Sequence, residues 1–199
     1  MSNTKNTITR INSMGEQQCF ELFKPLTNSS LCHPILLKSI QSRPYLNFIG
    51  MRNSFYKFFD QSSFVDTLEI LRSHDVLGAT PIELTDNALQ EQIKSGLQKL
   101  SSHNQLRLKS LNIAYKAKFS FNFICVTKSL TTDEIFYRFE KRLSNDFESE
   151  YLFSIIQLKK LLHLRLLDII DENDFTKEPS FFMENMNEYV QKNNIIPIV

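Results

Sequence analysis

The sequence predicts an all-α protein, a single compact domain of about seven to nine helices with one short extended segment near residues 119–126. Apolar residues recur at spacings of three and four along most of the 199-residue chain, as they do on the buried faces of helices. Glycine occurs only four times, which disfavours a turn-rich all-β fold. Because no two glycines lie close together, a glycine-rich loop that cradles phosphate is also excluded.

Capping residues and prolines predict where the helices begin and end. Ser13 with Glu16, and Thr131 with Glu134, have the spacing of capping boxes. Further helix starts are predicted near Pro34, Met51, Ser63, Thr85 or Asp86, and Ser101 or Ser102. Two helix faces are expected to be buried because their apolar residues recur in steps of three or four: Phe64, Leu68 and Leu71, and Leu89, Ile93 and Leu97.

Two segments differ from this amphipathic pattern. Residues 119–126 alternate phenylalanine with small polar residues and form the one segment expected to be extended. Residues 147–170 are apolar on more than one face, so a long helix there is expected to lie at the centre of the core. We expect residues 1–12 to be flexible, residues 13–170 to form the helical domain, and residues 171–199 to supply a last helix (about 180–192) and a tail packed on it.

Composition limits the environment of the protein. The three cysteines are widely spaced without metal-finger spacing, so buried, reduced thiols are expected and no metal site is predicted. The N-terminal residues lack the apolar core of a secretory signal, and no run is apolar for long enough to span a membrane. The last residues do not form a Ser-Lys-Leu-type peroxisomal signal. These features indicate a cytoplasmic protein that is not bound to a membrane.

Charge is unevenly distributed although the net charge is only +1. Residues 92–132 contain seven basic side chains and no acidic one: Lys94, Lys99, Arg107, Lys109, Lys116, Lys118 and Lys128. Such a stretch attracts anions, either a small carboxylate substrate or a nucleic-acid backbone. Solvated helix faces balanced by the acidic C-terminal third are the simpler interpretation, which disfavours nucleic acid as a partner.

Of the four histidines, His74 is the best candidate for chemistry. It falls at the predicted C-terminal end of a helix and precedes Asp75. A helix C-terminus and a neighbouring carboxylate both favour the protonated imidazole, so we expect a raised pKa. His33 and His103 lie beside helix starts, and His163 lies on the long apolar helix, where structural roles are expected.

An ordered series of short motifs resembles the 2-oxo-4-hydroxy-4-carboxy-5-ureidoimidazoline (OHCU) decarboxylases. That family reads approximately H-P-x-L-[AG], S-x-x-E-Q-x-x-A-G-L, L-N-x-x-Y and F-G-F-P-F. Elements in the same order here are His74 to Gly78, Glu91-Gln92 with Gly96-Leu97, Leu111-Asn112 with Tyr115, and Phe119 to Ile124. Matching elements extend from about residue 20 to 167, and the family's all-α fold agrees with the helices predicted above.

The resemblance implies the decarboxylation of OHCU to (S)-allantoin in urate degradation, without a cofactor and by a homodimer. His74 matches the family's catalytic, proton-handling histidine, and Glu91 a second catalytic position. Gln92 matches an amide that binds the substrate, and Arg165 an arginine whose fork suits a carboxylate. The segment of Phe119, Ser120, Phe121, Asn122, Phe123 and Ile124 matches one whose backbone closes the pocket.

Four neighbours of these residues depart from the family pattern. Asp75 replaces proline, Ala88 replaces serine, and Ser120 and Asn122 replace the glycine and proline of the phenylalanine motif. The sequence therefore leaves an alternative open: a catalytically inactive helical protein that binds an anionic partner through residues 92–132. In the enzyme, His74 and its three matched partners must converge on one pocket. In the binding protein, the basic side chains must share an exposed face instead.

Overall fold

The computed structural model describes residues 5–27 and 29–170, and the regular structure within those ranges is helical, as predicted. The described α-helices are α1 (Ile8–Ser13), α2 (Glu16–Phe23), α3 (His33–Gln41), α4 (Phe48–Asp60), α5 (Phe64–Arg72), α6 (Asp86–Lys94), α7 (Ser102–Phe119), α8 (Thr132–Arg142) and α9 (Phe147–Ile169). Short 3-10 turns occupy Lys24–Leu26, Ser30–Cys32, Pro81–Glu83 and Leu97–Lys99. The predicted helix over residues 180–192 lies outside the described residues.

Polar side chains begin several helices where the sequence predicted it. The Ser63 and Ser101 side chains accept hydrogen bonds from backbone N–H groups in the first turns of α5 and α7. Thr131 and Glu134 form the predicted capping box of α8. The capping box predicted for Ser13 and Glu16 is wrong, because α1 continues through Ser13 and Gly15 precedes α2.

Residues 8–12 belong to the segment expected to be flexible, but in the structure they form most of α1 and pack against the core. Ile8 and Ile11 of α1 are buried among α2, α3 and α4. The backbone N–H of Asn6 donates to the carbonyl of Ile169 over 2.8 Å, in a single-residue bridge with the end of α9. Because the segment is polar overall, its two isoleucines were not recognised as the buried face of a helix, although their spacing of three is helical.

Helix α9 runs through the middle of the domain, as its apolar pattern predicted. Leu161 belongs to the aromatic core around Tyr115, and Leu166 to a second core around Phe23 and Phe55. Because one helix contributes to both cores, residues from distant parts of the chain meet along it. Among the described residues, no helix is long and apolar enough to cross a membrane.

The segment after α7, which was predicted to be extended, leaves the helix at Ser120 and forms no strand within the described residues. A buried ion pair beneath it holds its backbone: Arg142 binds Glu150 through two nitrogens at 2.9 and 2.6 Å and donates to the carbonyl of Ile124 at 2.6 Å. Tyr115 donates to the same Glu150 carboxylate. Since a buried pair contributes little net stability, its clear structural effect is to fix the course of this segment.

Two predicted helix faces are rotated in the structure. Phe64 of α5 is 53% exposed, and the buried residues of that helix are Thr67, Ile70 and Leu71. In α6, Ile93 is 45% exposed, whereas Ala88 and Gln92 are buried. The inward face of α6 therefore combines the small apolar Ala88 with the polar Gln92. The three cysteines are free and buried, as predicted.

Candidate active site

The candidate site is built on the loop that follows α5. Side-chain amides from other elements hold its backbone: Asn122 donates to the carbonyls of Arg72 (3.0 Å) and His74 (2.6 Å), and Asn112 donates to the carbonyl of Leu77 (2.9 Å). Gln92 accepts from the N–H of Gly78 (2.8 Å) and donates to the carbonyl of Val76 (3.1 Å). These bonds satisfy backbone groups that no helix or sheet satisfies, and they fix the position of the loop.

His74 is held at the start of this loop with one ring nitrogen enclosed. Its Nδ1 lies 3.2 Å from the carbonyl oxygen of Asp75. Because a carbonyl oxygen only accepts, Nδ1 carries the proton of the neutral ring and Nε2 carries the lone pair. Nε2 is buried and has no hydrogen-bond partner among the described residues. A proton acceptor is thus enclosed at the centre of the site.

The pKa of His74 is lowered to about 4, in the opposite direction to the sequence expectation. Burial is the largest cause, and the positive charge of Arg165 acts in the same direction. The hydrogen bond to the Asp75 carbonyl opposes both. Because this pKa lies well below 7, His74 is a neutral imidazole at neutral pH. The Asp75 carboxylate accepts a hydrogen bond from the Thr85 hydroxyl at 2.6 Å.

Helices α6 and α9 place an acid and a guanidinium next to this imidazole. Arg165 binds Glu91 through two nitrogens, Nε to Oε1 at 2.9 Å and Nη2 to Oε2 at 3.0 Å. Its Nη1 donates to the carbonyl of Leu26 at 3.0 Å. The resemblance assigns the paired hydrogen bonds of the Arg165 guanidinium to a substrate carboxylate, but in the structure Arg165 makes them to the Glu91 carboxylate. This arrangement orients the Glu91 carboxylate and balances the buried charge of Arg165.

Two small cavities share His74 in their walls. Glu91, Gln92 and His74 line a space of about 10 Å³, named the polar space after these side chains, and apolar residues such as Leu77 and Leu161 complete its wall. His74 and Arg165 line a separate, largely apolar cavity of about 50 Å³. A surface cleft of about 790 Å³, lined by the loop that follows α5, extends from the solvent to His74. Three residues matched from other parts of the sequence, Glu91, Gln92 and Arg165, are therefore brought together around the imidazole of the fourth, His74.

The phenylalanine segment contributes less of the site than the resemblance implies. Phe123 lines the polar space, and Asn122 lines the surface cleft and binds the His74 carbonyl. Four matched residues line neither of the two cavities nor the surface cleft: Phe119, Phe121 and Ile124 are buried in the aromatic core, and Ser120 is exposed at the end of α7. Their positions follow from Tyr115, which packs against the rings of this segment.

Two lining residues lie beyond the motif and are missed by sequence reasoning. Cys125 and Thr127 line the polar space together with Phe123. Alternate residues of an extended segment face the same side, so the spacing 123, 125 and 127 is the signal that identifies them. Across the described parts of the chain, no group of three His, Cys, Asp or Glu side chains is placed to hold a metal ion.

The fold and the site together define an all-helical protein with an enclosed proton acceptor beside an acid–amide pair. The sequence model of the OHCU decarboxylase family matches residues 12–167. The chain therefore belongs to the OHCU decarboxylase family.

Individual relatives agree with this assignment. The chain is 30% identical over 166 residues to the 2-oxo-4-hydroxy-4-carboxy-5-ureidoimidazoline decarboxylase of Xenopus laevis, covering 81% of this chain and 93% of the frog protein. It is 31% identical over 133 residues to the uric acid degradation bifunctional protein of Bacillus sp. (strain TB-90), covering 67% of this chain but 26% of that larger protein.

Solved structures share the fold. The crystal structure of (S)-allantoin synthase superposes with a TM-score of 0.65 at 20% identity, covering 83% of this chain and 55% of the other. The crystal structure of OHCU decarboxylase in the presence of (S)-allantoin gives a TM-score of 0.61 at 21% identity, covering 74% and 96%. At these identities the likeness establishes the fold, and the activity is argued from the site.

Proposed function

We propose that this protein decarboxylates OHCU to (S)-allantoin in urate degradation. The enclosed Nε2 lone pair of His74 carries this proposal, because it lies where Glu91, Gln92 and Arg165 converge. The family membership supports the same reaction. The inactive binding protein is not favoured, since Arg107 is paired with Glu140 at 2.6 Å and Lys118 donates to the Leu143 carbonyl at 2.7 Å.

The reaction exchanges the substrate carboxylate for one proton. The bond from the ring carbon to the carboxyl group breaks, carbon dioxide leaves, and the electron pair passes into the ring, which takes up a proton from solvent. The hydroxyl on the same ring carbon then loses its proton as a carbonyl forms, and the neighbouring carbon gains a proton on one face. A neutral imidazole suits both transfers, because it accepts the hydroxyl proton at Nε2 and returns a proton to carbon.

The remaining site residues act mainly by position in this proposal. The Glu91 carboxylate, oriented by Arg165, faces the polar space and binds polar hydrogens of the substrate. Gln92 holds the loop of His74 through Val76 and Gly78, so its first role is to position the imidazole. The polar space of about 10 Å³ admits about one water molecule, so substrate binding requires the adjoining surfaces to separate.

The test generates OHCU in the cuvette with urate oxidase and hydroxyisourate hydrolase and follows (S)-allantoin by circular dichroism. The native chain is expected to accelerate its formation above the spontaneous rate. His74→Asn, which keeps a donor near the position of Nδ1, is expected to lose about 100-fold or more of that acceleration. His103→Asn, at an exposed histidine, is the matched control. A native rate equal to the background, or an active His74→Asn chain, contradicts the proposal.

The homodimer and the cytoplasmic location stay predictions. Multi-angle light scattering of the purified chain tests the first, with a mass of twice 23.3 kDa expected. Microscopy of the tagged full-length protein in its host tests the second, with diffuse cytoplasmic signal expected.

A further inference from the structure

The apolar cavity of about 50 Å³ has no part in the proton transfers proposed above. It lies between α3, α4, α5 and α9, and most of its lining side chains are aliphatic or aromatic, including Ile35, Phe55, Ile70 and Leu158. His74 lines both this cavity and the polar space, and Arg165 lines this cavity and binds Glu91, which lines the polar space. The charge of Arg165 at this wall is partly compensated, because Arg165 makes two hydrogen bonds to the Glu91 carboxylate.

The size and the chemistry of the cavity together limit what it can hold. A cavity needs about 10–15 Å³ of such space to hold one water-sized group, so 50 Å³ accommodates about three to five. That is too small for the ureidoimidazoline ring and its substituents, and a water molecule there meets mainly hydrocarbon. Empty apolar cavities take up small neutral molecules instead. A linear triatomic molecule without charge has the required volume and polarity.

We propose that this cavity receives the carbon dioxide released in decarboxylation, an inference that rests on the proposed function. When the bond between the ring carbon and the carboxyl carbon breaks, its electron pair stays with the ring and the departing carbon becomes neutral. A neutral product enters an apolar space that an ionised carboxylate avoids. Movement of carbon dioxide past His74 into the cavity separates it from the electron-rich ring before the ring carbon is protonated, which suppresses recombination.

Xenon, a neutral and polarisable atom, is the probe for the cavity itself. The full-length native chain is titrated with xenon, and methyl resonances of isoleucines are followed by NMR. Ile35 and Ile70, which line the cavity, are expected to shift in a saturable way, whereas Ile40, a core residue of α3 outside the cavity, is expected to stay in place. Absence of a selective shift at Ile35 and Ile70 overturns the proposal.

Cavity-filling variants then test the link to catalysis. Ile35→Phe and Ile70→Phe each place a ring in the cavity, and Ile40→Phe is the matched control on the same helix as Ile35. We expect both filling variants to lose the xenon response and to lower kcat about tenfold, equivalent to about 1.4 kcal/mol, with KM changed less than about twofold. If carbon dioxide leaves more slowly, recombination increases, so the carbon-13 kinetic isotope effect on kcat/KM moves towards unity.

The readouts separate the two proposals. Full kcat in a folded variant that no longer binds xenon overturns the role of the cavity and leaves the proposed function intact. A lower kcat with an unchanged isotope effect also overturns the role of the cavity and leaves the proposed function intact. An equal loss of kcat in Ile40→Phe leads to the same conclusion. Both outcomes indicate a general disruption of the fold. A native chain that binds xenon but does not accelerate allantoin formation overturns the proposed function. If one filling variant does not fold, the other provides the kinetic comparison.

Discussion

The neutral, buried imidazole of His74 makes a specific prediction about stability in acid. The perturbation is His74→Asn, which removes the titrating ring and keeps a hydrogen-bond donor near the Asp75 carbonyl. In the native chain the pKa of His74 is lowered to about 4 by burial and by Arg165, against an ordinary value of 6.5. Between these two pH values the unfolded chain therefore binds more protons than the folded chain, and stability rises with pH.

The pKa values set the size of the effect. The His74 contribution is complete above pH 6.5 and is lost as the pH falls towards 4. With a folded pKa of about 4 and an unfolded pKa of 6.5, the free energy of unfolding falls by about 2 kcal/mol between pH 7 and pH 5 and by about 3 kcal/mol by pH 4. His163, whose pKa burial and Arg52 also lower to about 4, acts in the same direction.

Urea denaturation followed by far-UV circular dichroism at pH 7 and pH 5 measures this difference. Carboxylates also titrate in this range, so the informative quantity is the native change minus the change in His74→Asn. We expect that difference to be about 2 kcal/mol, whereas the exposed-site control His103→Asn should behave like the native chain. If native and His74→Asn chains lose the same stability between the two pH values, His74 is not held neutral by the fold, and the assignment of Nε2 as a proton acceptor fails with it.

Two further predictions concern stability at neutral pH. Glu91→Gln leaves the buried guanidinium of Arg165 without its ionic partner and should lower the free energy of unfolding by about 2 kcal/mol, which is less than for a fully buried pair because the Glu91 side chain is 30% exposed. The double variant Glu91→Gln with Arg165→Met should recover part of this loss when measured by urea denaturation. Strictly additive losses in the two single variants and the double variant refute the coupling. Ser120 ends α7 with a φ of 63°, in the left-handed region; Ser120→Gly should therefore raise the free energy of unfolding by about 1 kcal/mol, and a loss of stability contradicts this.

The sequence was informative where local chemistry decides the structure. The Thr131 and Glu134 capping box depends on residues three apart, and the two-sided apolar pattern of residues 147–170 correctly placed α9 in the core. The face of α6 could not be predicted in this way. Leu89 and Ile93 suggested the buried side, but the site requires Gln92 and Glu91 to point inward, and that requirement is visible only when α9 brings Arg165 to meet them.

The candidate residues were found through the resemblance, whereas their interactions required the tertiary structure. Sequence neighbours suggested that Asp75 raises the pKa of His74, but burial and the distant Arg165 lower it. Both causes come from residues far away in the chain. Similarly, the phenylalanine motif was matched to a pocket wall, and only Phe123 and Asn122 line the spaces around His74. Alternation alone does not reveal that Tyr115 draws the other rings into the core.

Two of the four departures from the family motifs, Asp75 and Asn122, are better explained as substitutions of one restraint for another than as loss of the site. Where the family has proline after the histidine, the Asp75 carboxylate accepts a bond from Thr85 and ties this loop to the start of α6. Where the family has a second proline, Asn122 donates to the carbonyls of Arg72 and His74, which a proline side chain cannot do. Each change replaces a stiff backbone with a hydrogen bond that holds the same loop. Because the restraints act on His74 from two directions, the imidazole stays enclosed although the residues around it have changed.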